Sequence, residues 1–251
     1  MCTLVVLRRP GHAWPVILGA NRDELMTRPW TAPGRHWPDR PEVLAGRDDL
    51  AGGSWMGIND HGVIAAILNR QGTLGPADGK RSRGELVLLA LDNADAAAAA
   101  LVMSELRPDS YRPFNMVVAD NRHALYVTHR GDGRAVQIRG LNEGLTMLTS
   151  REPDDPSSPR IAFYRARFVA APPPDPDRGD WKAWEALMAS RERAADVGPE
   201  GAMSFVLPSG FGTVSSTLAA LPAIGRTGVK PVFRFAAGPP DQAPYRDLGV
   251  G

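Results

Sequence analysis

The chain has 251 residues, with 29 Lys and Arg against 28 Asp and Glu, for a formal net charge of +1. No basic surplus points to nucleic acid, and a single cysteine excludes an intramolecular disulfide and any Cys-rich zinc or iron–sulfur site. No apolar run approaches the roughly 20 residues a membrane helix needs, and the apolar start is too short for a signal peptide, so a soluble, cytoplasmic protein is expected. In chain order, residues 2–8 and 16–21 are β-branched runs around a Pro-Gly-His turn region and read as a hairpin. Residues 28–50 carry four prolines without periodicity and read as a long ordered loop. Residues 54–59 and 62–68 form a second hairpin about Asn59-Asp60-His61-Gly62. Ser82-Arg83-Gly84-Glu85 has the spacing of a capping box and opens a helix through Leu91, followed by an Ala-rich helix over 94–106. Strands are expected at 114–119, 124–129, 135–139 and 145–149, with Asp120-Asn121 turning the chain between the first two. Helices follow at 161–169 and 180–193, the second with Trp181, Trp184 and Leu187 or Met188 on one face. Strands at 213–221 and 229–235 come last. Two antiparallel sheets packed face to face, with helices outside, bury this pattern well. No Gly-rich phosphate loop follows a strand, and a doubly wound parallel sheet fits worse. The Pro-rich linker at 171–178 leaves too short a segment after it for a separate core, so a single domain over 1–251 is expected.

The one cysteine is residue 2. Trimming of Met1, which a small following side chain favours, leaves a thiol and a free α-amine on the same residue. The amine has an ordinary pKa of about 8 and suits the role of base for that thiol. The plainer reading is a small buried hydrophobe opening a strand. Asn21-Arg22-Asp23-Glu24 ends the second strand, and alternation puts Asn21 and Asp23 on one face, Arg22 and Glu24 on the other. Pairing of the first two strands brings the tetrad near Cys2, with Asp23 placed to hold the amine and Arg22 to favour the thiolate. The plainer reading there is a polar turn with an Arg22–Glu24 surface ion pair.

Met1-Cys2-Thr3 and Gly19-Ala20-Asn21-Arg22-Asp23-Glu24 resemble the NRDE family, which includes the transport-and-Golgi-organisation proteins. Gly52-Gly53-Ser54-Trp55-Met56-Gly57, Asn69, Ser82-Arg83-Gly84, Phe114-Asn115 and Gly212-Thr213-Val214-Ser215-Ser216-Thr217 extend the match in family order. That family is similar in turn to the N-terminal-nucleophile hydrolases, particularly the penicillin V acylase and bile-salt hydrolase group. The resemblance implies an α+β fold, a four-layer αββα sandwich. It also implies an N-terminal cysteine amidohydrolase or acyl-transfer enzyme acting on a small amide or thioester. Carried over residue by residue, Cys2 is the nucleophile, Asp23 the carboxylate that holds its amine, and Asn69 an oxyanion-hole residue. Three positions depart from the pattern. Ala20 stands where an arginine is usual, with Arg22 as its substitute. Ser150, after Thr149, replaces a second asparagine, so its hydroxyl or a backbone N–H is left to complete the oxyanion hole. A late arginine is missing from Val214-Ser215-Ser216. Asn21, Trp55, Arg83 and Asn115 are the substrate-binding candidates, although Trp55 also reads as a core residue and Arg83 as a surface arginine at a helix cap.

The second function class the resemblance implies is a non-catalytic intracellular protein that binds and moves haem, acyl-coenzyme A or lipid in the same cleft. No cofactor is required on either reading, and haem is a candidate ligand through any of the five histidines or several methionines. His12, His36, His61, His123 and His129 show no metal-ligand spacing, so no metal site is assigned.

Overall fold

The computed structural model describes residues 2–250. The chain forms two compact units, one built from the residues up to Arg28 and from Asn142 to Gly249, the other mainly from Pro29–Leu141. The first unit opens with β1 (Thr3–Arg8) and β2 (Val16–Leu25), paired antiparallel as expected. β2 runs four residues past its expected end and takes in the whole Asn21-Arg22-Asp23-Glu24 tetrad.

The second unit then begins. Its strands are β3 (Trp30–Gly34), β4 (Val43–Asp48), β5 (Met56–Asn59), β6 (Ile64–Asn69), β7 (Phe114–Ala119), β8 (Ala124–His129) and β9 (Gln137–Gly140). They form one antiparallel meander in sequence order. The proline-rich stretch is therefore not the expected loop. Pro33 sits in β3, an edge strand, where a missing N–H is tolerated, and the short apolar run Val43-Leu44-Ala45 makes β4. The β5–β6 turn is the expected one, with Gly62 at φ +82°, where a Cβ would be strained.

Helices α1 (Gly84–Leu91) and α2 (Ala96–Ser104) bury Leu86, Val87, Ala90, Leu91, Ala99 and Met103 in one core with Val63, just before β6, and with Ala65, Met116 and Val118 of the sheet. α1 starts where expected, but without the reciprocal capping box. The Ser82 hydroxyl accepts from the Gly84 N–H rather than from that of Glu85, and the Glu85 carboxylate turns instead to Arg81 and Tyr111. One of the two glycines before β5 has a packing reason. A Cβ on Gly53 would lie 2.4 Å from the Gly84 carbonyl carbon, so strand and helix start meet backbone to backbone.

The chain returns to the first unit through β10 (Gly144–Leu148), α3 (Pro159–Ala170) and α4 (Lys182–Met188), and finishes with β11 (Phe211–Leu221), β12 (Val232–Ala236) and β13 (Tyr245–Asp247). The sheet order is β10-β1-β2-β11-β12-β13. α3 and α4 pack Ile161, Tyr164, Phe168, Trp181, Trp184 and Met188 into a core with Val5, Ile17, Met147 and Leu218. Trp184 and Phe168 meet edge to face at 5.4 Å. The predicted apolar face of α4 is thus present, but the helix ends at Met188, well short of residue 193. The Tyr164 hydroxyl accounts for the stop: it bonds Ser190 Oγ at 2.9 Å and the Glu192 carbonyl at 2.5 Å, drawing the chain out of helical register. Among the described residues no helix is long and apolar enough to cross a membrane.

Candidate active site

Cys2 stands immediately before β1. Thr3 pairs with Asn21, so the same register continued by one residue sets Cys2 opposite Arg22. The half-buried thiol lies against the backbone of Asp23. The Asp23 N–H donates to Sγ at 3.4 Å, and the S–H donates to the Asp23 carbonyl at 3.5 Å. Burial first, then the charge of Asp23, push the thiol above its ordinary pKa, while the Asp23 N–H and Arg22 pull it down.

The Asp23 carboxylate points to the other face of the sheet, the one that carries α3 and α4. Its side chain is fully buried. Arg160, from the first turn of α3, donates to Oδ2 at 2.9 Å and Thr213 donates to Oδ1 at 2.8 Å. Arg160 also donates to Thr3 Oγ1 at 2.6 Å and to the Glu200 carbonyl at 2.7 Å, and its guanidinium lies over the Phe205 ring. One buried cation therefore ties β1, β2 and α3 together directly behind the cysteine. Asn21, on the same face, is a clamp: its Nδ2 donates to the Met188 and Met203 carbonyls, both at 2.9 Å, and its Oδ1 accepts from Ser216 at 2.6 Å.

The expected alternation of the tetrad is what the strand shows. Arg22 and Glu24 take the face opposite Asn21 and Asp23, Arg22 is 6% exposed, and Glu24 is in ion-pair range of Arg28 at 3.7 Å. Leu148 pairs with Leu4, so the register carried forward puts Thr149 opposite Thr3 and Ser150 opposite Cys2. Ser150 is buried, and Thr149 bonds Ser158 on the helix face. A bulge in β11 completes the arrangement. Thr213 pairs with Asp23 and Ser215 with Arg22, the extra residue being Val214. The bulge lets Thr213 serve the buried carboxylate on one face while Ser215 stays on the face of Cys2. The row Ser150, Cys2, Arg22, Ser215 therefore crosses four adjacent strands on the face away from the helices.

The remaining candidates belong to the second unit. Asn69 is the last residue of β6 and is half-buried opposite Phe114. Trp55 packs edge to face on Trp30 at 5.8 Å and covers Gly46, where a Cβ would come within 2.3 Å of the indole. Arg83 donates to Thr73 Oγ1 at 3.0 Å and the Pro113 carbonyl at 2.9 Å, bracing a loop. Asn115 is fully buried, and its Oδ1 accepts from Arg70, Tyr126 and Thr128. Of the histidines, His129 is buried beside Phe114, and burial lowers its pKa. The other four lie nearer the surface, and no group of three or more His, Cys, Asp or Glu among the described residues could hold a metal ion.

Sequence reasoning missed Arg160 and Thr213. Arg160 did leave a signal: with Tyr164 and Phe168 at four-residue spacing it sits on the apolar stripe of its helix, where a charge needs a buried partner. Thr213 left none, because its pairing depends on the bulge.

The thiol's raised pKa sets its response to pH. A thiol reacts as thiolate, so with Met1 in place alkylation of Cys2 should keep rising through the ordinary thiol range, near pH 9, without levelling off. Trimming of Met1 puts a cationic amine on Cys2 itself and should move the profile to lower pH. Rates of iodoacetamide labelling against pH, read by intact mass before and after aminopeptidase treatment, measure both.

Antiparallel sheets each backed by helices have counterparts among solved structures. Over 99% of this chain and 100% of that chain, it is similar to a Caenorhabditis elegans N-acylethanolamine-hydrolyzing acid amidase ortholog, with a TM-score of 0.59 at 15% identity. Penicillin V acylase from Agrobacterium tumefaciens matches 94% of this chain over 83% of its own, at a TM-score of 0.55 and 15% identity. A conjugated bile acid hydrolase mutant from Clostridium perfringens matches 100% of this chain over 97% of its own, at 0.50 and 12%. These likenesses show the fold, the expected α+β class of N-terminal-nucleophile type. The chain belongs to the Transport and Golgi organisation 2 family, whose sequence profile matches residues 1–173. The mouse homolog of that name is 34% identical over 168 residues, 64% of this chain and 59% of the homolog. The human homolog is 35% identical over 145 residues, 54% of this chain and 51% of the homolog. The chain thus spans only about half the length of the curated relatives it matches.

Proposed function

We propose that this protein is an N-terminal cysteine acyl-transfer enzyme, an amidohydrolase acting on a small linear amide or thioester. The observation that carries the reading is the Cys2 thiol held at 3.4 Å by the Asp23 N–H, in front of a carboxylate fixed by Arg160 and Thr213, on a fold of the acylase type. Once Met1 is removed, the Cys2 α-amine takes the thiol proton and the thiolate adds to the substrate carbonyl. The Ser150 hydroxyl or a backbone N–H stabilises the oxyanion; a lost donor of this kind typically costs about 10²–10³ in rate. Collapse breaks the bond to the amine or thiol leaving group, which recovers the proton, and leaves an acyl thioester on Cys2. Water adds to that thioester, releasing the acid and restoring the thiol.

Intact-mass spectrometry before and after exposure to a β-lactone acyl probe tests the reading. Loss of Met1 with one stoichiometric adduct, absent in Cys2→Ala, is the expected result. A retained Met1, or a trimmed chain that takes up no probe, overturns it and leaves the non-catalytic reading, for which haem and acyl-coenzyme A titrations are the next measurement.

A further inference from the structure

Among the described residues, Asp154 is the only one other than glycine with a positive φ, at +58°. A side chain in that left-handed region is uncommon, and backbone held there tends to gather at functional sites. Pro153 and Pro156 flank Asp154-Asp155 and stiffen the turn. The conformation gives Asp154 two bonds to the sheet. Its N–H donates to the Met147 carbonyl at 2.8 Å, and the Met147 N–H donates to its Oδ1 at 2.8 Å. β10 is an edge strand, so Asp154 stands in for a strand partner on its outer side. Arg165 of α3 reinforces the contact, donating to the same Oδ1 at 2.9 Å and to the Leu145 carbonyl at 3.3 Å.

The bonds between Met147 and Asp154 close a loop, and Ser150 lies inside it. β10 ends at Leu148, so the ladder to β1 stops two residues before Ser150. The register that sets Ser150 opposite Cys2 therefore needs another support. Thr149 supplies part of it through its bond to Ser158 at 3.2 Å, and Asp154 supplies the closure. We infer that Asp154 is a positioning residue, a latch that holds Ser150 against Cys2. The latch deepens the acyl-transfer reading and rests on it for the role of the Ser150 hydroxyl at the oxyanion. With the latch open, Ser150 would drift from the developing charge, and misplacement by about 1 Å can cost about 10² in rate.

Ser150→Cys turns the placement into a readout that needs no turnover. Oxidised glutathione should take two electrons from Cys2 and the introduced thiol and join them in a disulfide, since directly opposed strand residues lie within disulfide reach. Loss of both iodoacetamide adducts, read by intact mass, follows the closure. In that background Asp154→Gly accepts the left-handed φ but has no oxygen acceptor, and it should slow closure by about tenfold. Asp154→Asn keeps an acceptor, tolerates the same φ and should close at the parent rate. Acylation by the β-lactone gives a second reading. Asp154→Gly should lower it by about tenfold in the parent chain and by nothing further in a Ser150→Ala background, because the two residues act as one unit. Additive losses, an unchanged closure rate in Asp154→Gly, or no closure in Ser150→Cys alone would each overturn the latch. A chain that takes up no β-lactone, but whose disulfide closure still slows in Asp154→Gly, keeps the latch and refutes acyl transfer.

Discussion

Arg160→Met should destabilise the protein by about 3–5 kcal/mol, because it strips the cation from a buried ion pair and leaves the carboxylate behind. Both partners are almost wholly out of water, so this is not a surface bridge worth a few tenths. Asp23 would lose its Arg160 donor and keep the Thr213 hydroxyl, while the Thr3 hydroxyl and the Glu200 carbonyl each lose a donor. Methionine preserves most of the volume against Phe205, so the loss reports polar pairing more than packing. Urea unfolding followed by circular dichroism gives the value from the midpoint at constant slope. The double variant Asp23→Asn/Arg160→Met removes both charges together and should be less destabilised than Arg160→Met alone. A single-variant loss under about 1 kcal/mol would mean that water reaches the pair and that the bridge does not anchor the strand.

That bridge also marks the border of what the sequence makes legible. Strands β7 and β8 match their predicted bounds, since each is a continuous apolar run closed by a turn. The tetrad's alternation and the apolar face of α4 are readable for the same reason: period alone decides them. β3 and β4 are not, because the prolines that end most strands are harmless at a sheet edge, and edge position is a property of the assembled sheet. The site divides in the same way. Cys2 and Arg22 come opposite one another through the local β1–β2 pairing, whereas Ser150 reaches the row only through the long-range pairing of β1 with β10. Arg160 and Thr213 join Asp23 across long stretches of chain, and only the register of β11, bulge included, brings the second of them into place. Asn21 shows the opposite outcome: a residue conspicuous in its motif spends both ends of its side chain on internal bonds.

Asp23→Asn should separate thiol ionisation from acyl transfer, moving the two in opposite directions. The negative charge of Asp23 raises the thiol's pKa, so an amide in its place lowers it. Below its pKa a thiol gains tenfold in thiolate for each unit that pKa falls, so iodoacetamide labelling of Cys2 at neutral pH should speed up by about that factor per unit. Acylation by the β-lactone should nonetheless fall by about 10²–10⁴, the usual contribution of a positioned general base, since the carboxylate that would orient the α-amine is gone. Cys2→Ser gives the contrast, keeping Asp23 and the amine while removing the sulfur, and should lose both reactions. Faster alkylation together with slower acylation in Asp23→Asn would identify Asp23 as a positioning residue acting through the amine. A parallel fall in both rates would assign it a purely structural role in holding β1 against β2, and the urea midpoint of the same variant would show it.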